Sequence, residues 1–242
     1  MTTSSKNQRK IYKSSWDGTL SRDEFQVAAT SFAERWNKFN SALPQFSWVA
    51  RPNPPYLPPT SQAEGYLAVE NVIMSRTDEE SCGGGDYEEG KEVTSCSDED
   101  GFVDIATLAQ NHDHASHHYD FHVVYSTSYR VPVLYFRAYH SDGQVLILDD
   151  VEKSIPVNSA KLLMESKWTF ITQEDHPYLN RPWYTLHPCG TSEWMKLLFN
   201  NELGVAEGGV VVAKYLVSWF SVVGQVFGLK IPFGMLVSFG EL

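Results

Sequence analysis

Cysteine is scarce in this chain of 242 residues, where it occurs only as Cys82, Cys96 and Cys189. Three thiols without a repeated CxxC spacing indicate neither a disulfide framework nor a structural zinc site. This usage fits a reducing, intracellular setting, and we therefore expect a cytoplasmic protein. For Cys189 the open alternatives are a small buried side chain and a reactive nucleophile.

Basic side chains are also few, with 19 Lys and Arg against 30 Asp and Glu, a net charge of −11 and a pI of about 5.1. Binding to a phosphate backbone needs clustered Lys and Arg that release counterions, and no such cluster occurs. We therefore predict no nucleic-acid partner. A protein partner or a small substrate fits the acidic composition better.

The chain lacks an uninterrupted apolar run of membrane-spanning length. The nearest approach is residues 208–232, which read GGVVVAKYLVSWFSVVGQVFGLKIP. Polar and small residues interrupt this run, and an ionised lysine such as Lys214 costs roughly 2.5–3.5 kcal/mol near the centre of a spanning helix. We predict no transmembrane span here, but a buried or partner-facing helix that ends near Gly224.

A secretory signal is missing as well, because the N-terminal residues MTTSSKNQRKIYKSSW contain no apolar segment. Their basic, hydroxyl-rich composition resembles that of an organelle transit peptide, which is one alternative. We favour a flexible tail over residues 1–18, followed by a single domain over residues 19–242.

Several common catalytic motifs are absent, namely the GxSxG elbow and the Walker and Rossmann glycine patterns. Four histidines in the segment HDHASHH, residues 112–118, match no HExxH or zinc-finger spacing. We interpret that segment as a polar linker that enters a strand. The sequence therefore predicts neither a metal ion nor an organic cofactor.

The apolar periodicity predicts an α+β fold in which helices pack on one face of an antiparallel β-meander. A helix is expected after Ser21, which has capping-box spacing to Glu24. Strand-like runs cover residues 119–125, 131–139 and 145–148, and Asp142-Gly143 predicts a hairpin between the last two. Residues 76–101 are acidic and glycine-rich, so we predict a disordered insertion in the domain.

One cysteine, Cys189, lies in a context that favours reactivity, within the sequence YTLHPCGT. Pro188 removes a backbone donor and biases His187 away from the α region, so the apolar strand before it is expected to end here. The thiol then precedes a helix whose predicted cap is Thr191 or Ser192. Amide groups at a helix N-terminus favour a thiolate, although a lone cysteine is also often a buried filler.

Three longer segments resemble the hallmark segments of the autophagy-related E2-like conjugating enzymes. They are YDFHVVYSTSYRVPVLYFRAYHSDGQVLILDD, TQEDHPYLNRPWYTLHPCGTSEWM and YLVSWFSVVGQVFGLKIP. Their order and spacing are more similar to the branch of the family that handles autophagy-related protein twelve than to the branch of autophagy-related protein three. The resemblance is strong over residues 118–235 and weak over residues 20–45, and it implies an E2-like domain.

The resemblance also implies a reaction and its partners. In this family the cysteine of His-Pro-Cys accepts a ubiquitin-like modifier, autophagy-related protein twelve, from the E1-like autophagy-related protein seven. It then transfers the modifier to a lysine of autophagy-related protein five. By resemblance Cys189 is the nucleophile, flanked by His187 and Pro188, and no cofactor is required.

Two further expectations concern the surroundings of Cys189. The turn Ser126, Thr127, Ser128, Tyr129 and Arg130 resembles the family's acceptor-docking surface, although ordinary sheet packing also explains such residues. Ubiquitin-type E2 enzymes carry a His-Pro-Asn tripeptide before the cysteine, whereas here Tyr178 follows His176-Pro177 and Asn180 lies two residues further on. Our hypothesis is that backbone donors after Cys189, together with Thr191, stabilise the oxyanion instead.

Two other function classes stay open at this point. One is a catalytically inactive E2-like module that binds a ubiquitin-like protein. The other is a cysteine hydrolase of its conjugates, which needs a histidine base and an orienting Asp or Asn beside Cys189. His176 and His187 are the candidate bases.

Overall fold

The computed structural model describes residues 16–51, 64–74, 116–156, 170–199 and 208–237. Most of the predicted tail and the acidic insertion with Cys82 and Cys96 lie outside these residues. Two of the four clustered histidines, His112 and His114, also lie outside them.

Within these described ranges, the sheet has six strands, all paired antiparallel, in the order β1-β2-β3-β4-β6-β5. Its strands are β1 (Ser47–Ala50), β2 (Gly65–Met74), β3 (His117–Ser126), β4 (Val131–Tyr139), β5 (Ile171–Asp175) and β6 (Pro182–Leu186). The helices are α1 (Arg22–Phe39), α2 (Leu148–Ser154), α3 (Thr191–Phe199), α4 (Gly208–Val223) and α5 (Phe233–Val237), with a 3₁₀ turn at Gly224–Phe227. The predicted α+β class is confirmed.

Helix α1 begins as the sequence predicts. The side chain of Ser21 accepts the backbone N–H of Glu24 at 3.2 Å, and the Glu24 carboxylate accepts the N–H of Ser21 at 2.7 Å. This reciprocal cap satisfies two of the amides that a helix start leaves unpaired. Its apolar stripe, which includes Phe25, Phe32 and Trp36, is buried against the sheet and α4.

The two faces of the sheet differ in what covers them. Alternate strand residues such as Tyr119, Phe121 and Val123 join the main core under the helices, as their period of two predicts. On the opposite, outer face, a smaller cluster contains Tyr66, Ala68, Val124, Val133, Tyr135 and Trp183. The turn between β5 and β6 packs on that cluster through Tyr178 and Leu179. The described helices therefore lie on one face, and a turn partly covers the outer face.

The predicted strand at residues 145–148 is wrong. Val145 makes a single bridge to Tyr139, and α2 begins at Leu148. The reason is that β6, which comes later in the chain, pairs with the edge of β4 that such a hairpin would occupy. Two acidic residues in the first turn of α2, Asp149 and Asp150, also favour a helix start there.

Helix α4 ends at Val223 and passes into the 3₁₀ turn at Gly224, where the sequence predicts its end. Within the described ranges, no helix has both the length and the apolar character needed to cross a membrane. The sequence pattern did not predict β1, a four-residue strand that pairs with the first part of β2.

The last residues of the predicted tail pack against the folded domain. The ring of Trp16 meets those of Phe199 and Tyr215 edge to face, at 5.8 and 6.2 Å. Gly18 has a φ of 83°, and a Cβ at this position would lie 1.8 Å from the carbonyl oxygen of Ser192. Only glycine fits this backbone and this close approach. The segment from residue 16 therefore packs against α3 and supports it.

Candidate active site

The His-Pro-Cys motif forms a turn that ties the cysteine to the histidine. Strand β6 ends at Leu186, and the backbone N–H of Cys189 donates to Nδ1 of His187 at 3.2 Å. Because Nδ1 accepts this bond, the ring carries its proton on Nε2. Pro188 between them is buried and has no N–H, and the thiol of Cys189 is half-buried. The turn holds Cys189 just beyond the end of β6.

The same turn occurs a second time in the chain, at His176-Pro177-Tyr178. There the backbone N–H of Tyr178 donates to Nδ1 of His176, also at 3.2 Å. This copy follows β5, so the two turns lie at opposite ends of the β5–β6 hairpin. In both copies the proline contributes no donor, and the histidine ring accepts the next available amide.

Two aromatic rings flank the imidazole of His187. Phe170 stacks on it at 4.5 Å with an interplanar angle of 16°, and Tyr129 approaches it edge to face at 5.8 Å. The backbone N–H of His187 also donates to the carbonyl of Phe170 at 3.0 Å. Sequence reasoning missed Phe170. Its position follows from the antiparallel register of β5 and β6, which places Ile171 opposite Leu186 and hence Phe170 opposite His187.

Helix α3 begins immediately after Cys189. Gly190 is the cap position, because its carbonyl accepts the N–H of Trp194 at 3.1 Å, and its φ is 81°. The predicted cap at Thr191 or Ser192 is therefore one or two residues late. The reason is that the turn closes early, with the N–H of Thr191 donating to the carbonyl of Pro188 at 3.0 Å.

Because of these hydrogen bonds, only some of the backbone amides near the thiol are able to bind an anion. The amides of Cys189 and Thr191 are occupied, and the side chain of Thr191 is buried. Within the ranges that the structure describes, the amides of Gly190, Ser192 and Glu193 have no hydrogen-bond partner. They lie at the positive end of the α3 dipole. Asn180 lies at the far end of β6, whose five residues span about 17 Å.

The predicted acceptor-docking turn, Ser126 to Arg130, connects β3 to β4 beside the His-Pro-Cys turn. Four of its residues are exposed and Ser126 is half-buried. The segment before α1 supports it, because the N–H of Leu20 donates to the carbonyl of Arg130 at 2.9 Å. Arg130, with a φ of 57°, also lies 3.5 Å from the carboxylate of Asp17. Tyr129 is thus the residue of this turn that reaches the site, through His187.

His176 lies away from the thiol, in a buried pair with His122. Since Nδ1 of His176 accepts from Tyr178, its Nε2–H donates to Nδ1 of His122, and the two nitrogens are 3.1 Å apart. Burial lowers the pKa of His122 to about 3, assisted by the positive charges of a protonated His176 and of Arg181. Burial also lowers the pKa of His176 to about 4, with Arg181 and Arg137 adding to the shift.

This arrangement argues against the hydrolase hypothesis. His176 is buried at the other end of the hairpin from Cys189, and Nδ1 of His187 is occupied by a backbone amide. A catalytic triad needs a histidine oriented toward the thiol by a third group. Neither candidate base shows that geometry.

The described part of the histidine-rich segment belongs to a strand. His117 and His118 belong to β3, and Nδ1 of His118 lies 2.6 Å from the amide oxygen of Asn71. Within the part of the chain that the structure describes, no three His, Cys, Asp or Glu side chains are grouped as metal ligands.

Comparison with known proteins identifies the family. Residues 24–233 match the family described as autophagocytosis associated protein, active-site domain. The "Ubiquitin-like-conjugating enzyme ATG10" of Arabidopsis thaliana is 47% identical over 222 residues, which are 91% of this chain and 96% of that protein. The human protein of the same name is 41% identical over 114 residues, 47% of this chain and 50% of its own length.

More distant matches were also found. "Autophagy-related protein 3" of Pichia angusta is 27% identical over 48% of this chain and 32% of its own length. A solved structure described as "Crystal structure of Autophagic E2, Atg10" is 16% identical, covers 87% of this chain and 98% of that chain, and has a TM-score of 0.46.

The protein is thus an E2-like conjugating enzyme of autophagy. It belongs to the family of autophagocytosis associated active-site domains, together with the ubiquitin-like-conjugating enzymes ATG10.

Proposed function

We propose that Cys189 carries autophagy-related protein twelve as a thioester. The modifier comes from the E1-like autophagy-related protein seven, in the cytoplasm, and passes to a lysine of autophagy-related protein five. The observation that carries this proposal is the His-Pro-Cys turn, which places a half-buried thiol directly before the N-terminus of α3. The thiol at that position precedes the unpaired amides of α3, and its thiolate form is the nucleophile of the reaction.

Two exchange steps follow from this chemistry. In the first, the Cys189 thiolate attacks the thioester carbonyl on the activating enzyme, a new C–S bond forms, and the thiolate of that enzyme leaves. In the second, the neutral lysine amine attacks the Cys189 thioester. An isopeptide bond forms, the Cys189 thiolate leaves, and the extra proton of the amine is lost to solvent. ATP is consumed by the activating enzyme, and neither step needs a metal or an organic cofactor.

Each tetrahedral intermediate carries an oxyanion that needs hydrogen-bond donors. We assign this role to the unpaired amides of Gly190, Ser192 and Glu193, since they follow the thiol directly. Thr191 supports them by fixing the first turn of α3, and His187 supports them by holding the amide of Cys189. Asn180 plays no part, because β6 separates it from the thiol.

The acceptor docks on the turn from Ser126 to Arg130, which is exposed and adjoins His187 through Tyr129. This location allows a lysine of the acceptor to approach Cys189 without a separate ligase. The partners themselves are identified by reconstitution with purified autophagy-related proteins seven, twelve and five. Replacement of protein twelve by ubiquitin is the control, and conjugation with ubiquitin at an equal rate would overturn the assignment of the modifier.

Single-turnover transfer from the charged enzyme tests the oxyanion assignment in the same system. We expect Asn180→Ala to transfer at the normal rate and Thr191→Ala, which removes a buried side chain from the first turn of α3, to be slowed. The reverse pattern would place the oxyanion donor in the β5–β6 turn.

A further inference from the structure

A small apolar groove opens beside the His-Pro-Cys turn, between the end of β6 and helices α3 and α4. Its lining includes Leu186, Pro188, Trp194, Trp219, Val222 and Val226. Among the described residues that line it, none is Asp, Glu, Lys or Arg, and the polar groups are the side chains of His187 and Thr191 and the indole N–H groups of Trp194 and Trp219. We call this the α3–α4 groove.

The groove exists because the sheet opens at this point. Strands β4 and β6 pair only at Tyr135 with Thr185 and at Phe136 with Tyr184. Continuing this register places Pro132 opposite Pro188, and neither proline has an N–H to donate across the gap. Both prolines line the groove. The two strands therefore do not pair beyond Thr185, and they have separated before the chain reaches Cys189.

The size and walls of the groove restrict what fits it. The cavity measures about 60 Å³, which admits an apolar side chain and excludes a helix or a folded domain. Trp219 is buried at its base, whereas Val222 is 46% exposed at its rim. An extended peptide that reaches the thiol is able to insert one side chain between these two residues.

We propose that the α3–α4 groove binds a large apolar side chain in the C-terminal tail of the modifier, next to the residue joined to Cys189. This inference rests on the proposed thioester function. A tail whose carbonyl is bonded to Cys189 must leave the thiol along its immediate surroundings, and the groove is lined by residues on both sides of that thiol, Pro188 and Thr191. The uncharged lining selects an apolar side chain and rejects a carboxylate, because burial would leave that charge unpaired.

The test uses a short synthetic peptide thioester with the modifier's last six residues, which reacts with Cys189 without the activating enzyme. Val222→Glu places a charge at the exposed rim, and Val145→Glu is the matched control, since Val145 is 50% exposed and lies beyond the opposite end of β4. We expect Val222→Glu to slow acylation at low peptide concentration about tenfold or more. The control variant should react like the unmodified protein.

A second peptide separates groove binding from a structural defect. Its large apolar side chain is replaced by lysine, which we expect to react poorly with the unmodified protein and better with Val222→Glu. Equal reaction of Val222→Glu and Val145→Glu, or no gain from the lysine peptide, would overturn the groove assignment. If the unmodified protein forms no thioester with the peptide or with the charged activating enzyme, the proposed function fails instead.

Discussion

The backbone amide of Cys189 donates to Nδ1 of His187 at 3.2 Å, across a buried proline. This bond explains why histidine, proline and cysteine occur in this order. The proline leaves the cysteine amide as the next donor in the chain, and the histidine ring folds back to accept it. The identical bond from Tyr178 to His176 shows that the turn is a local structure that forms without the thiol.

Two substitutions of His187 should distinguish the role of its hydrogen-bond acceptor from the role of the rest of the ring. In His187→Asn the amide oxygen is able to accept the same amide two residues on, as in an Asx turn, whereas His187→Ala has no acceptor. We expect His187→Ala to slow thioester formation about fivefold to tenfold, which corresponds to one hydrogen bond, and His187→Asn to retain most of the rate. Equal loss in both variants would show that the ring itself is required.

The contact of Gly18 with α3 should be important for stability. Gly18→Ala combines a positive φ with a clash against the carbonyl of Ser192, so we expect a loss of about 3 kcal/mol or more in the free energy of unfolding. Gly143→Ala is the matched control. Gly143 has a φ of 85°, and a Cβ there would have no atom within 4 Å, so this variant should lose only about 1–2 kcal/mol. Urea unfolding measures both, and equal losses would contradict the packing.

Acid should destabilise the fold through His122 and His176. Their pKa values in the folded protein, about 3 and 4, lie below the usual 6.5, so the unfolded chain binds protons first as the pH falls. The stability from these groups is complete above about pH 6.5 and declines toward pH 4, by about 1.4 kcal/mol per pH unit for each histidine.

Variants at this pair test the sign and the source of the pH effect. The slope of unfolding free energy between pH 7 and 5 should be smaller in His122→Phe, where one titrating group is gone and the stacking with Trp183 is kept. His140→Phe, outside the pair, controls for the loss of one histidine. An unchanged slope in His122→Phe would contradict the neutral buried pair.

A charge in the turn from Ser126 to Arg130 should affect the second step only. Ser128 is exposed, and we expect Ser128→Glu to accept the modifier normally but to transfer it to the acceptor about tenfold more slowly. Ser141→Glu, in the exposed turn after β4, provides the same substitution at the other end of the strand. Slow loading of Ser128→Glu would indicate that this turn contacts the activating enzyme instead.

Much of the fold could be predicted from local sequence patterns. Where the prediction is wrong, there is a physical cause. The capping box at Ser21 and the alternation in β3 depend on neighbours in sequence, and both predictions are confirmed. The strand expected at residues 145–148 is wrong because a later strand, β6, pairs with β4. Competition between distant segments for one sheet edge cannot be read from a local pattern.

The candidate site also has a part that the sequence predicts and a part that only the folded structure shows. Cys189 and its flanking residues are identified by a short motif and by family resemblance, whereas Phe170 and the α3–α4 groove depend on strand register and on helix packing. The cap of α3 at Gly190, one or two residues earlier than predicted, also follows from the folded structure. It depends on the turn that Pro188 and Thr191 close.

The central claim, that Cys189 carries the modifier, is tested most directly on a non-reducing gel. The Cys82→Ser/Cys96→Ser protein is incubated with the activating enzyme, the modifier and ATP, beside versions that also carry Cys189→Ser or Cys189→Ala. We predict a heavier band that thiol reductant removes, a reductant-resistant oxyester in Cys189→Ser, and no adduct in Cys189→Ala. If the activating enzyme is charged and no adduct forms on Cys189, the account is contradicted, and the protein binds its ubiquitin-like partner without carrying it.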